Sequence, residues 1–444
     1  MRNYKKWACC LIVGFAVSLC SAQTKARSGA DPIVAADLLT VKEPGSQAES
    51  RLRVIRLTTQ SGATGYGDYF DFGLPAKNEE ETLARLVNRY GEQRGKTNFF
   101  VTDPSMRAVG GAHTVLGKTA AQTLNAKPVM DLRHGAFFPR EGFGPMWQGP
   151  GKSGLVIALQ AALLDLAGQQ GPSQVRLCPS ISTDVEVNGK RRLLTADEVR
   201  QKVSSLKQAG FTAVRLELAD ALEDEMVARG ECAPYRYPID VLGMIDRLVS
   251  AAKEAAGPDM HLVLAANMNL STDGMTMLAL RCQRIGVTLL ENPMELRHLH
   301  EQGQARKEFS MPLGFGGDYH VNEDFAQGIQ QNAGTVLVPD AGNIGGVRML
   351  AQTADLAKDA QLRLAPVVKG GPLSLLTVAR SLYGRDEVLW LSSPYQEQWL
   401  NGGGVLKTAL QMKQGVLVSE SCEIDETKFH VKCIAQVNTK TKKK

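Results

Sequence analysis

The sequence predicts a parallel (β/α)-barrel preceded by a smaller α+β unit. Short β-branched or apolar runs recur from residue 183 with helical patterns between them. From the third run onward their starts lie about 25 residues apart, enough for one strand and one crossover helix. No glycine-rich phosphate loop follows any run, so a doubly wound sheet fits less well, although spacing alone leaves an open α/β sheet as the alternative. With 444 residues, 43% hydrophobic and 22% charged, the chain has material for two or three domains and excludes disordered and fibrous classes.

Residues 1–22 read as a signal peptide. Arg2, Lys5 and Lys6 precede the apolar WACCLIVGFAVSLC run, and Ser21-Ala22 offers a cleavage site before Gln23. The expected location is therefore secreted or periplasmic; an uncleaved N-terminal anchor is the alternative. No later run is apolar enough to span a bilayer. The three leader cations with Lys440, Lys442, Lys443 and Lys444 of a basic tail (436–444) exceed the whole formal charge of +5, so the body is slightly acidic. That excludes the electrostatic footprint of a nucleic-acid binder.

An N-terminal α+β unit is expected over 33–145. RVIRLTT, the turn Gln60-Ser61-Gly62 and ATGYGDYF form a hairpin signature, and residues 78–94 read as an amphipathic helix. A Gly- and Pro-rich connector (127–152) leads to the apolar helix SGLVIALQAALLDLAG. The barrel is expected over 153–397, with strands TDVEV (183–187), AVRLEL (213–218), HLVLAAN (261–267), GVTLLEN (286–292), MPLGFGG (311–317), TVLVPD (335–340), RLAPVVK (363–369) and EVLWLSS (387–393). Thr195 to Glu198 make a capping box that opens one helix, and another follows Pro238. Residues 219–237 read as an insertion, and 398–435 as a segment of strand character that returns to the N-terminal unit.

The mature chain keeps Cys178, Cys232, Cys282, Cys422 and Cys433. An odd number without Cys-x-x-Cys spacing argues against a zinc site or a disulfide framework, and only Cys422 and Cys433 are close enough in sequence to suggest a bridge.

Reacting groups of such a barrel sit at the C-terminal ends of its strands. There the chain carries Arg215 and Glu217, Ala265 and Asn267, Glu291, Gly317 with Asp318, Asp340, and Lys369. Structural roles also fit: Arg215 with Glu217 as an internal ion pair, Glu291 bonded to a neighbouring loop, Asp340 capping the turn into the next helix.

Here the chain resembles the enolase superfamily, in its mandelate racemase and muconate-lactonizing branch. GATGYGDYF resembles that family's capping-domain turn, with Asp68 where glutamate is usual. ALLDLAG (162–168), GFTAVRLEL (210–218), LLENP (289–293), MPLGFGGD (311–318), VPDAGNIGGV (338–347) and the stretch around VLVSESCEID follow in family order, from about Ile33 to about Lys432. The resemblance implies a (β/α)-barrel of the modified TIM type with an N-terminal α+β capping domain, GYGDYF facing the strand ends. It also implies Mg²⁺ holding a substrate carboxylate while a Lys or His takes the neighbouring proton.

Carried over by residue, Ala265 stands where the first metal ligand is expected, Glu291 at the second and Gly317 at the third. The metal candidates are then Glu291, Asn267 and Asp318, the last only where a bulge turns it inward. Arg215-Leu216-Glu217 stands where a lysine pair is found, Asp340 matches the Asp that orients a catalytic His, and Val367 replaces that His with Lys369 two residues on. The candidate catalytic residues are Glu217, Lys369 and Asp340; the substrate-binding candidates are Arg215 and Lys369, because a protonated guanidinium grips a carboxylate but accepts protons poorly.

Two functions follow. One is a Mg²⁺-dependent racemase, epimerase or dehydratase that abstracts a proton alpha to a carboxylate. The other is an exported barrel that binds a small acid-sugar-like carboxylate with no metal or weakly bound Mg²⁺, its catalysis lost or altered. The combined replacements at Ala265, Gly317 and Val367 favour the second. A homo-oligomer is compatible with either.

Overall fold

The computed structural model describes residues 31–44, 51–70, 80, 116–119, 151–168, 171–187, 190–218, 239–266, 270–319, 322–344, 346–394 and 404–437. The expected leader, the helix expected over 78–94 apart from residue 80, the insertion expected at 219–237, Asn267, Cys232 and the lysines of the tail lie outside the described residues.

The cap is an antiparallel sheet. β1 (Ile33–Val41), β2 (Leu52–Thr59) and β3 (Thr64–Phe70) form a meander, and β16 (Phe429–Gln436) from the end of the chain pairs with β1, so the sheet order is β16-β1-β2-β3. The hairpin turn falls where Gln60-Ser61-Gly62 predicts it, with Gly62 at φ +88°. Helix α1 (Gly151–Leu166) lies against β3. Gly65 and Gly67 make this packing possible, because a Cβ on Gly67 would lie 1.8 Å from the Ala158 carbonyl oxygen.

Eight parallel strands close the barrel. In order they are β4 (Val175–Ser182), β7 (Ala213–Glu217), β8 (His261–Ala265), β9 (Leu289–Glu291), β10 (Leu313–Phe315), β11 (Val336–Leu337), β12 (Arg363–Leu364) and β13 (Leu391–Pro394), which pairs back onto β4. Bridges Leu364↔Val388 and Val367↔Ser392 shut the remaining seam. The intervening helices are α2 (Ala196–Gln208), α3 (Ile239–Ala256), α4 (Thr272–Ile285), α5 (Leu299–Ala305), α6 (Asn322–Gln330), α7 (Val347–Asp359) and α8 (Pro372–Ser381). The α2 capping box is present with both reciprocal bonds. Small and branched side chains fill the barrel interior, among them Cys178, Ala213, Val263, Leu289, Val336 and Ala365.

One strand assignment is corrected. The first barrel strand is Val175–Ser182, and the TDVEV run instead forms β5 (Asp184–Val187), one arm of a two-stranded hairpin with β6 (Lys190–Leu193) outside the barrel. The returning segment does two jobs: β14 (Met412–Lys413) and β15 (Val416–Leu417) extend the barrel sheet antiparallel to β4, before β16 reaches the cap. Cys422 and Cys433 are both free, so the suggested bridge is absent. Among the described residues no helix is long and apolar enough to cross a membrane.

Asp68 joins cap to barrel. Its buried carboxylate accepts from the backbone N–H groups of Leu373 (2.7 Å) and Ser374 (2.9 Å), the N-terminus of α8, and Ser374 Oγ donates to the Asp68 carbonyl. A helix that follows a barrel strand begins at the strand's C-terminal end, so β3 meets the barrel at its mouth. Burial pushes Asp68 up to about 6 from 3.8, with the two N–H bonds pulling the other way.

Between those pH values the folded protein holds a proton that the unfolded chain does not, so this group's contribution is greatest below the window and falls as pH rises through about 6. Measured against Asp68→Asn, the wild type should gain on the order of 3 kcal/mol in stability between pH 7 and pH 4. Melting curves across that range check it; a constant difference would contradict the assignment.

Candidate active site at the strand ends

Parallel register puts three positions side by side at the mouth. Glu217 on β7 is opposite Ala265 on β8, and Ala265 is opposite Glu291 on β9. One layer deeper, Arg215 is in register with Ser180 and Val263. Its guanidinium rises between the two acids. Nε donates to Glu291 Oε2 at 2.6 Å, and Nη1 donates to Glu217 and, at 3.4 Å, to Ser180 Oγ. Arg215 is 2% exposed and Glu291 0%.

Across the mouth Lys369 Nζ lies 3.6 Å from Asp340 Oδ2. The charges form two groups, Glu291-Arg215-Glu217 and Lys369-Asp340, with Glu217 feeling the charge of Lys369. Glu217 at 27% and Lys369 at 33% exposure are the partly exposed members.

Electrostatics separates the two glutamates. Burial pushes Glu291 up, only partly offset by Arg215. Burial also acts on Glu217, but the charges of Arg215 and Lys369 outweigh it and hold Glu217 below the usual carboxylate range. Opposing burial, the same two acids raise Arg215. Glu217 is thus an ionised carboxylate bonded to Arg215, and its lowered proton affinity weakens it as a general base, which needs a pKa near the working pH.

Asp340 takes the capping role: its Oδ1 accepts from Gly342 N (2.9 Å) and Asn343 N (3.3 Å). Its buried Oδ2 has no hydrogen bond and faces Lys369. Arg215, Glu217 and Glu291 come together as one cluster. Gly316, at φ +113°, follows the last residue of β10, and Asp318 is exposed in the turn after it.

Sequence reasoning missed Asn292. It adopts φ +48°, and its Oδ1 accepts from Gly317 N at 3.0 Å. The signal was an asparagine, which tolerates left-handed backbone, directly after a strand-end glutamate. A second concavity, of about 1110 Å³, lies between α1, β3, α8 and the returning segment, with Tyr66, Asp165, Arg380, Cys422, Glu423 and Glu426 among its walls. It shares no residue with the charge cluster and was not foreseen.

A closed barrel with an α+β cap docked at its mouth and ionisable side chains converging from several strand ends defines an enolase-type protein. The chain belongs to the Enolase C-terminal domain-like family, whose model matches residues 197–420. It is similar to D-galactarolactone cycloisomerase of Agrobacterium fabrum (strain C58), 28% identical over 124 residues that span 28% of this chain and 33% of that enzyme. The match therefore covers a third of the relative's length. Among solved structures, a member of the enolase superfamily from Salmonella Typhimurium superposes with TM-score 0.63 at 16% identity, covering 90% of this chain and 99% of the other. A mandelate racemase/muconate lactonizing enzyme-like protein from Roseovarius sp. TM1035 gives 0.62 at 14%, covering 89% and 94%. At such identities the likeness is one of fold.

The family relationship implies Mg²⁺, and the described residues do not fit a family-type site. Ala265 offers no oxygen, and Glu291 Oε2 is bonded to a guanidinium. Side-chain space at Gly317 is already taken, since a Cβ there would lie 2.5 Å from Asn292 Nδ2. Among the described residues no three His, Cys, Asp or Glu side chains gather as metal ligands.

Proposed function

We propose that this chain is an exported enolase-superfamily barrel that binds a small sugar-acid carboxylate at its strand ends, with the family's metal chemistry eroded and catalysis lost or altered. The observation that carries the reading is Arg215, a permanently charged side chain bonded between Glu217 and Glu291 where a metal-dependent site would keep free acid ligands. The similarity to a galactarolactone cycloisomerase supports the ligand class. Because Arg215 is buried and committed to two carboxylates, Lys369 is the cation to meet the ligand.

Calorimetric titration with D-galactarolactone and open-chain sugar diacids tests this. A charge-assisted hydrogen bond contributes about 1.5–3 kcal/mol, so Lys369→Ala should weaken binding by about 10- to 100-fold. Equal affinity in wild type and variant would overturn it. Export rests on the leader, and native protein beginning at Gln23 rather than Met1 on N-terminal sequencing checks it.

A second reading, metal-free proton transfer, is supported by the place of Glu217 at the mouth as a partly exposed, ionised carboxylate within the field of Lys369. Glu217 would take the proton alpha to the bound carboxylate, and Lys369 would hold the negative charge that develops. Exchange of that proton with solvent deuterium, lost in Glu217→Gln, supports it; no exchange in wild type rejects it.

A further inference from the structure

The register explains why position 265 is a methyl group. Arg215 and Glu217 are on β7, Glu291 is on β9, and β8 runs between them with Ala265 opposite both acids. To donate to Glu217 and to Glu291 at once, the guanidinium has to cross β8 over Ala265. A longer side chain there would meet it, and an acidic one would add a third carboxylate to a space that one cation fills. The third ligand position is closed independently: Asn292 occupies the side-chain space at Gly317, its Oδ1 holds Gly317 N, and Asn343 Nδ2 donates to Gly317 O at 3.0 Å.

We propose that Arg215 is the resident cation of this site: a covalently held guanidinium takes over the neutralisation of Glu291 that a divalent ion would supply, bonds Glu217 as well, and by its presence excludes that ion. The inference deepens the metal-free reading above and is independent of the carboxylate ligand, so its test uses none. A guanidinium fixed to β7 keeps the mouth charged at any metal concentration and screens Glu291 from whatever enters. Lys369, partly exposed and paired with Asp340, is the cation at the mouth that an anion can reach.

The probe is Mn²⁺, followed by the loss of its free-ion electron paramagnetic resonance signal and by protein melting with and without chelator. Wild type should leave the Mn²⁺ signal unattenuated and melt equally in Mg²⁺ and in chelator. Arg215→Ala, which exposes two carboxylates to each other, should bind Mn²⁺ at least about tenfold more tightly than wild type and be stabilised by it. Adding Glu291→Gln to that variant should abolish the gain. Micromolar Mn²⁺ binding by the wild type that disappears in Glu291→Gln would overturn the proposal, as would a folded Arg215→Ala protein with no gain in metal affinity. Should Arg215→Ala fail to fold, Arg215→Met, closer in volume, takes its place in the same measurements with the same two outcomes. Loss of the sugar-acid reading would show as absent ligand binding and would leave these metal measurements unchanged.

Discussion

Glu291→Ala is expected to destabilise the protein by about 3–5 kcal/mol, because removing one partner of a buried ion pair leaves the other charge uncompensated in a low-dielectric interior. Arg215 would keep only Glu217, which is partly exposed, and the Ser180 contact, long at 3.4 Å. The truncated carboxylate also leaves a space at a position that is 0% exposed. Arg215→Met with Glu291→Leu provides the contrast: apolar side chains of similar volume remove both charges, and such exchanges are often neutral or stabilising, so most of the loss should return. Denaturant unfolding followed by tryptophan emission measures both proteins, with Trp390 buried in the barrel interior as a reporter. If Glu291→Ala unfolds within about 1 kcal/mol of wild type, the cluster does not carry this charge balance.

Gly67→Ala should be comparably severe through a steric route. The new methyl carbon would sit 1.8 Å from the Ala158 carbonyl oxygen and 2.9 Å from Ala162 N, both backbone atoms of α1 that no rotamer change can clear. β3 and α1 must separate, and the buried faces of Ala158, Ala162 and Tyr69 separate with them. The expected loss is about 3 kcal/mol, the upper end for overpacking. Gly62→Ala is the control: it lies at φ +88° with nothing within 4 Å of its Cβ, so only backbone strain of about 1 kcal/mol applies. Hydrogen exchange should show Gly67→Ala loosening α1 and β3 amides while the barrel strands stay protected. Equal melting of the two variants would mean the contact is not tight.

Much of the fold was legible because its determinants are local. Thr195 and Glu198 cap α2 from within four residues, the turn after Thr59 forms the cap hairpin, and the apolar runs from 213 onward mark barrel strands at about the spacing one strand and one helix require. The first barrel strand was misplaced for the same reason. TDVEV alternates as a strand should, but alternation reports one half-buried face and cannot say which partner covers it. VRLCPSIS, with a proline and two serines, carries a weaker local signal and is a strand because β7, β13 and β15 pair with it.

The same division runs through the site. The sequence by itself determined which ionisable side chains stand at strand ends, since position along a strand and the barrel rule suffice: Arg215, Glu217, Glu291, Asp340 and Lys369 were all identifiable. Tertiary structure alone decided whom they meet. Arg215 and Glu291 are 76 residues apart, and their contact depends on two strands flanking β8 in one register. Asn292 reaches Gly317 across 25 residues, and Asp318 is exposed in the turn that follows Gly316 and its positive φ. Alternation fixes the face on which a side chain emerges; barrel closure and stagger fix its neighbours, and only these long-range terms brought Arg215 between Glu217 and Glu291 and Lys369 to Asp340.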